Sequence, residues 1–313
     1  MSDAARIAWV AVDPASRRVL ELARKVADAP STVLITGESG TGKDQLARLI
    51  HELGPRRDAP FLKIDCASLP AELVESELFG HERGAFTGAV ERKQGRLEMA
   101  RGGTIVLDEV AALAPAVQSK LLRVLEERSF ERLGGTETLR IDARLIALTN
   151  TDLAQAVAAG RFREDLYFRL NVVTIVVPPL RARAKDIVPL AEHLLARLVT
   201  VHGRANVKLS EAARRALEAY AWPGNVRELK NAIERALVFG KDAEIAVADL
   251  PAAVRAAAVA GGAPAGLRSL EEVERDVIRT TLEATRYKIG RAAEILGITR
   301  KTLLEKRKKY GLD

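Results

Sequence analysis

Apolar residues fall into two rhythms along the first half of the chain. Short apolar runs at 33–36, 61–64, 103–107, 144–149 and 172–176 have the length and near-continuous hydrophobicity of strands buried on both faces. Between them lie amphipathic stretches such as 45–51 and 117–128, where apolar positions recur at helical spacing. The alternation predicts an α/β fold, a parallel sheet with helices on both faces. An amphipathic helix at 16–27 precedes it, with Leu20, Ala23, Val26 and Ala27 on one face. Pro178-Pro179 ends the pattern. Beyond it, 187–200, 210–219 and 226–239 read as short helices, with Ser210 and Asn225 at expected helix starts. Residues 251–268 are rich in Ala, Gly and Pro and read as a flexible linker. The expected division is an α/β body over 1–178, a small helical subdomain over 179–250, the linker over 251–268, and an all-α module over 269–313.

Charge separates the last module from the rest. Nine basic residues between Arg286 and Lys309 stand against Glu294 and Glu305, so this window carries +7, equal to the net charge of the whole chain. A basic end on a near-neutral body points to attached nucleic-acid binding. Within it, Gly297 breaks two helical segments and Thr299 can cap the second, which is helix-turn-helix spacing. Cys66 is the single cysteine, which excludes an internal disulfide, and the four histidines have no metal-ligand spacing. No apolar run is long enough to span a bilayer and no signal pattern opens the chain, so a cytoplasmic location with no membrane partner is expected.

The sharpest chemical signal is Thr36-Gly37-Glu38-Ser39-Gly40-Thr41-Gly42-Lys43, placed between the first strand and the helix after it. Strand, glycine loop and helix in that order, with G-x-x-x-x-G-K spacing, form a P-loop. Its backbone N–H groups, the helix start and Lys43 converge on a phosphate. Asp44 follows Lys43, so the usual Ser or Thr ligand for Mg²⁺ is missing. The run Gly103-Thr104-Ile105-Val106-Leu107-Asp108-Glu109 ends an apolar strand in two carboxylates, which a parallel sheet places beside the P-loop. Asp108 can hold Mg²⁺, through water, and Glu109 can orient the attacking water.

Together with Gly84-Ala85-Phe86-Thr87-Gly88-Ala89, these motifs resemble the bacterial enhancer-binding activators of sigma-54 RNA polymerase, AAA+ ATPases of the NtrC type. The resemblance runs from about residue 8 to 312. It implies ATP and Mg²⁺ as cofactors, held by Gly37, Glu38, Ser39, Gly40, Thr41, Gly42, Lys43 and Asp44. It also implies a loop at 84–89 that touches sigma-54. Arg132-Leu133-Gly134-Gly135-Thr136 is similar to the second surface loop. Asn150 takes the place of the γ-phosphate sensor, Arg163 and Arg169 those of arginine fingers reaching a neighbouring subunit, and Arg227 that of the lid sensor. Asp65 stands where the family often has Asn facing the catalytic Glu109; two nearby carboxylates resist ionising together, so a shared proton or a longer separation is expected. The helix-turn-helix resembles the Fis-type domain. Arg300, Lys301, Thr302 and Glu305 are expected to meet base edges, and Lys306 with the basic residues after it to meet phosphates. The preceding helix, 270–284, offers Leu270, Val273, Val277, Ile278 and Leu282 to a dimer core.

The expected whole is an ATP-hydrolysing activator that binds upstream double-stranded DNA and assembles from dimers into a ring, by resemblance a hexamer. It would remodel the closed complex of sigma-54 RNA polymerase holoenzyme. Competing readings are a DNA-binding repressor on a degenerate ATPase body and another AAA+ remodelling ATPase. With only a short leader before the P-loop, control by a trans-acting regulatory protein is expected.

Overall fold

The computed structural model describes residues 9–204, 207–240, 242–262, 270–285 and 287–312. Five parallel strands form the central sheet: β1 (Val33–Thr36), β2 (Phe61–Asp65), β3 (Thr104–Asp108), β4 (Arg144–Thr149) and β5 (Val173–Val176), in the order β2-β3-β4-β1-β5. Each lies within one residue of its expected run.

Strand periodicity splits the core into two layers. Val33 and Ile35 face one side, with Val106, Ile146 and Leu148, and pack under the Pro14–Ala27 and Lys43–Leu53 helices. Leu34 faces the other side, with Ile105, Leu107 and Ala147, and packs under the Ala71–Phe79, Pro115–Glu127 and Glu164–Leu170 helices. Buried Arg144 donates from Nη1 to the Ala27 carbonyl at 2.6 Å and from Nη2 to that of Val26. It thereby caps the open C-terminal end of the first helix.

β1 lies between β4 and β5, one strand in from the sheet edge, and the P-loop starts at its C-terminal end. Register carries the acidic strand end to the same edge: Asp65 on β2 is paired with Asp108 on β3. Two short antiparallel hairpins project from the body, Gly80–His81 with Lys93–Gln94 and Ser129–Glu131 with Thr138–Arg140. Past β5, helices Ile187–Val201, Glu211–Ala219 and Asn225–Phe239 form the lid.

The expected linker is different in its first part. Residues Ala252–Gly262 form a helix, because six alanines outweigh the helix-breaking cost of two terminal glycines. Residues 263–268 lie outside the described ones. The chain divides into two compact units after Ala256. In the C-terminal unit, helices Leu270–Ala284, Ile289–Ile295 and Arg300–Tyr310 surround a small core of Ile278, Leu282, Ala292, Ala293 and Leu303. Ile278 and Leu282 are therefore spent inside the module rather than offered to a dimer. Val277 is half exposed, while the Leu270 and Val273 side chains lie outside the described residues.

Candidate functional site: a P-loop cleft, its lid, and two outward modules

The P-loop glycines are fixed by what approaches them. A Cβ at Gly37 would lie 2.5 Å from the Val177 carbonyl oxygen, and one at Gly40 2.5 Å from that of Gly224 in the lid. Lys43 is buried and lies along the loop, donating to the carbonyls of Gly37 at 2.8 Å and Glu38 at 3.2 Å. Burial holds its ammonium below the ordinary value, opposed by the Glu109, Asp108 and Asp44 carboxylates.

The lid closes on this loop through polar side chains. Arg227 Nη1 donates to Ser39 Oγ at 2.9 Å. Asn225 opens its helix as expected and is also a buried bridge. Its Oδ1 accepts from Leu180 N at 2.7 Å, and its Nδ2 donates to Glu38 Oε2 and the Ser39 carbonyl, both at 3.1 Å. Glu38 also accepts from Arg181 Nη1 at 2.8 Å. The Arg181 guanidinium, and then Asn225, hold the Glu38 carboxyl down at about 2. An open cleft of about 610 Å³ lies between, bordered by Glu38, Ser39, Asn150, Gly224 and Arg227.

A second hollow of about 350 Å³ lies on the other side of the loop, lined by Trp9, Val10, Gly42, Leu194, Val226 and Lys230 among others. Sequence reasoning missed this wall. Arg183, buried, donates to the Thr41 carbonyl at 2.6 Å and faces the Trp9 ring at 5.7 Å. Asp186 is wholly buried and accepts from Val12 N and Asp13 N at 2.7 Å each and from Ser16 Oγ. One lid carboxylate thus fastens the leader to the lid.

At the sheet edge, Glu109 sits at φ 51°, a left-handed conformation that a non-glycine residue adopts only when its surroundings impose it. Its Oε2 accepts from the Asn150 N–H at 3.2 Å, so the sensor strand end and the acidic strand end are joined. Asp65 turns the other way: its Oδ1 accepts from Ala67 N at 3.0 Å and Ser68 N at 3.2 Å. Among the described residues no hydrogen bond joins this carboxylate to that of Glu109. Buried Cys66 lies among these acids; burial, then Asp65, Asp108 and Glu109, push its thiol up to about 12.

Lys63 was not singled out in the sequence. Its Nζ lies 2.6 Å from Asp44 Oδ1 and 2.7 Å from Asp108 Oδ2, joining the first turn of the P-loop helix to the acidic strand. A cation already sits between two hard oxygen donors, which suits Mg²⁺ in kind. Among the described residues no group of three Asp, Glu, His or Cys side chains can hold a metal alone, so phosphates and water would have to complete the coordination.

The 84–89 loop is open at its two glycines, while Ala85 packs beside Gly134 and Ala89 is buried. Gly84 and Gly88 have φ of 83° and 104°, and a Cβ at either would meet nothing within 4 Å. Phe86 is 42% exposed and its ring meets His81 edge-on at 4.9 Å. The loop's base is tied to the second surface loop. Glu82 N donates to the Leu133 carbonyl at 2.9 Å, and buried Arg132 reaches Glu82, Glu98 and Glu137 at 2.9–3.1 Å.

The expected arginine fingers lie on the outer surface. Arg163 pairs with Asp165 at 2.7 Å and reaches Ser119 Oγ, whereas Arg169 donates to the Leu125 carbonyl at 3.2 Å. Neither enters the cleft of its own chain.

In the C-terminal unit Thr299 caps the last helix, accepting from Thr302 N at 3.1 Å, and Leu303 anchors its inner side. Arg300, Lys301, Leu304, Glu305 and Lys308 are exposed, a single helix face. Lys306 differs from expectation, since its ammonium is paired with Glu274 and that of Lys309 with Glu271. Thr302 is half-buried and its hydroxyl bonds to that of Thr299 at 2.8 Å. Leu304, not among the expected residues, is exposed on the same face. No helix among the described residues is long and apolar enough to cross a membrane.

Known proteins give the same three parts. Residues 9–176 match the sigma-54 interaction domain, 181–266 an AAA+ ATPase lid domain, and 269–310 the bacterial regulatory protein Fis family. The chain is 48% identical over 306 residues to the transcriptional regulatory protein ZraR of Klebsiella oxytoca, covering 97% of this chain and 69% of that one. It is 49% identical over 301 residues to the alginate biosynthesis regulator AlgB of Pseudomonas aeruginosa, covering 96% and 66%. Among solved structures, NtrX of Brucella abortus in complex with ADP superposes with a TM-score of 0.74 at 33% identity, over 98% of this chain and 70% of that one. Its complex with ATP gives 0.72 at 36%, over 97% and 69%. The chain belongs to the sigma-54-dependent transcriptional regulators, with an AAA+ ATPase body, a helical lid and a Fis-type helix-turn-helix.

Proposed function

We propose that this protein hydrolyses ATP and uses the cycle to remodel a closed sigma-54 RNA polymerase promoter complex while held at upstream DNA. The observation that carries this is the convergence on one cleft of the P-loop, the Glu109–Asn150 strand ends and Arg227 of the lid. The loop N–H groups and Lys43 cradle the phosphates. The hollow beside Trp9 takes the base. Glu109 orients the attacking water, Asn150 senses the γ-phosphate, and Arg227 links phosphate state to lid angle. Asp108 would hold Mg²⁺ through water, and the ion would supply charge neutralisation at the phosphates. Arg163 and Arg169 lie on the outside because they serve the neighbouring subunit's site in a ring, by family a hexamer. There an arginine finger is worth roughly 10³ or more in rate.

The 84–89 loop carries the output. Its glycines give it conformational freedom and Phe86 gives it an exposed anchor for sigma-54. Arg300, Lys301, Thr302 and Glu305 read DNA, with Lys306 able to leave its half-exposed pair with Glu274 for a phosphate.

Open-complex formation on a supercoiled template tests the reading, with sigma-54 or housekeeping holoenzyme and Thr87→Ala as the control. The expected result is opening with sigma-54 only, dependent on ATP, and lost in Thr87→Ala with hydrolysis retained. ATP hydrolysis without opening by either holoenzyme would assign the chain to another AAA+ remodelling role. Absence of hydrolysis with intact DNA binding would favour the repressor.

A further inference from the structure

We propose that Lys63 is a built-in rival of the divalent cation, one that keeps metal off Asp44 and Asp108 unless nucleotide phosphates bring it. The inference rests on the ATPase reading above for its biological meaning, but its geometry stands apart from it. Asp44 extends from the first turn of the P-loop helix and Asp108 from the end of β3. The Lys63 ammonium bridges them at 2.6 and 2.7 Å. Among the described residues Lys63 is the cation ion-paired with either acid, because Lys43 is directed to the loop carbonyls instead.

The rivalry follows from shared lone pairs. Asp108 Oδ2 accepts from Lys63 at hydrogen-bond distance, so a metal-bound water or a metal ion needs the same oxygen. Two protein carboxylates and no third ligand make a poor cage for free Mg²⁺, which gives up its waters reluctantly. A lysine competes well against such a weak ligand set. It competes poorly once the phosphate oxygens add charge and ligands. Lys63 is able to yield, since about a third of its side chain is exposed and its four-carbon stem swings freely. Its charge also offsets the local excess of acid made by Asp44, Asp65, Asp108 and Glu109, in which Asp65 is the residue that departs from the family's usual Asn. Lys63 is thus a positioning and selectivity residue. It fixes the order of loading, metal with nucleotide rather than metal before nucleotide.

The test compares the parent with Lys63→Met, Lys63→Gln and Lys63→Arg in thermal unfolding, with EDTA or MgCl₂ and without nucleotide. The parent and Lys63→Arg are expected to melt at the same temperature in both. Lys63→Met and Lys63→Gln should rise by about 2–4 °C with MgCl₂ alone at millimolar concentration. In ATP hydrolysis at fixed ATP, their half-saturating Mg²⁺ should fall by about threefold or more, with Lys63→Arg unchanged. Affinity for ADP in EDTA should stay within about twofold of the parent in all variants, since Lys63 is outside the phosphate cradle. An identical Mg²⁺ response in parent, Lys63→Met and Lys63→Gln would overturn the proposal. If the parent bound no nucleotide at any Mg²⁺ concentration, the ATPase reading would fail, while the melting comparison without nucleotide would still decide the role of Lys63.

Discussion

Two glycine loops in this protein use the same residue for opposite reasons. In the P-loop, Gly37 and Gly40 are required because carbonyls of Val177 and Gly224 occupy the space of a side chain. In the 84–89 loop, a side chain at Gly84 or Gly88 would meet nothing, and glycine is required by the backbone's positive φ alone. The first loop is glycine-rich so that other chain segments can close on it. The second is glycine-rich because its two turns are left-handed, with no neighbour at either glycine although Ala85 packs on Gly134 and Phe86 on His81. On the proposed function, the first is the seat where phosphate state is read and the second the arm where movement is delivered.

Four substitutions test this contrast. The largest effect is expected from Glu109→Gln, which leaves both loops intact and removes the group proposed to orient water. ATP hydrolysis should fall about 10²- to 10³-fold while equilibrium binding of ATP is unchanged. A parallel loss of binding would mean that Glu109 shapes the seat rather than the chemistry. Next is Gly40→Ala, whose methyl group collides with the lid at Gly224. Nucleotide affinity measured by calorimetry should fall on the order of 100-fold. Unchanged affinity would show that the lid does not need this contact.

Gly88→Ala sits in open space and carries only the cost of a left-handed alanine. Hydrolysis should hold within about twofold, and promoter opening should drop about 5- to 30-fold, the equivalent of about 1–2 kcal/mol. Equal losses of hydrolysis and opening would erase the distinction between the loops. The smallest effect belongs to Glu38→Gln at the rim of the seat. Its pair with Arg181 is exposed to solvent, so nucleotide affinity at neutral pH should change by about fivefold at most.

That last variant has a pH signature. The Glu38 carboxyl is held at about 2 against an ordinary 4.5, so its stabilising contribution is complete above 4.5 and disappears as pH falls through 2. The difference in unfolding stability between the parent and Glu38→Gln should therefore be flat above pH 4.5 and shrink below it. A difference that instead shrank near neutrality would assign the titration to another group.

Most of the framework is legible in the sequence because it depends on local rules. The five strands are long enough and apolar enough to declare themselves, and the P-loop spacing encodes its own geometry. The two hairpins are not legible: pairs of two or three residues, such as Gly80–His81 with Lys93–Gln94, have no measurable period. The helix at Ala252–Gly262 was hidden by reading alanine together with glycine and proline as a linker, although alanine alone favours a helix. At the site, the charged motif residues are readable, but their partners are not. Lys63 reads as a solvated lysine on an edge strand until the sheet order brings it to Asp108. Trp9 and Asp186 are distant in sequence from what they touch, and nothing local in either predicts the leader-to-lid fastening. The partner of Lys306 is not readable either, because charge alone does not show that Glu274 lies opposite.

The position of Trp9 also has a spectroscopic consequence. The chain contains two tryptophans. The ring of Trp9 would touch a methyl group on Gly42 at 3.6 Å, while Trp222 is wholly buried in the lid just ahead of the Gly224 that closes on the P-loop. One indole therefore borders the P-loop itself and the other lies within the lid that closes on it, and the rest of the molecule is dark at their excitation edge. Without any added dye, stopped-flow emission from the unmodified protein should follow base entry at one wall and lid movement at the other, with Trp222→Phe separating the two signals.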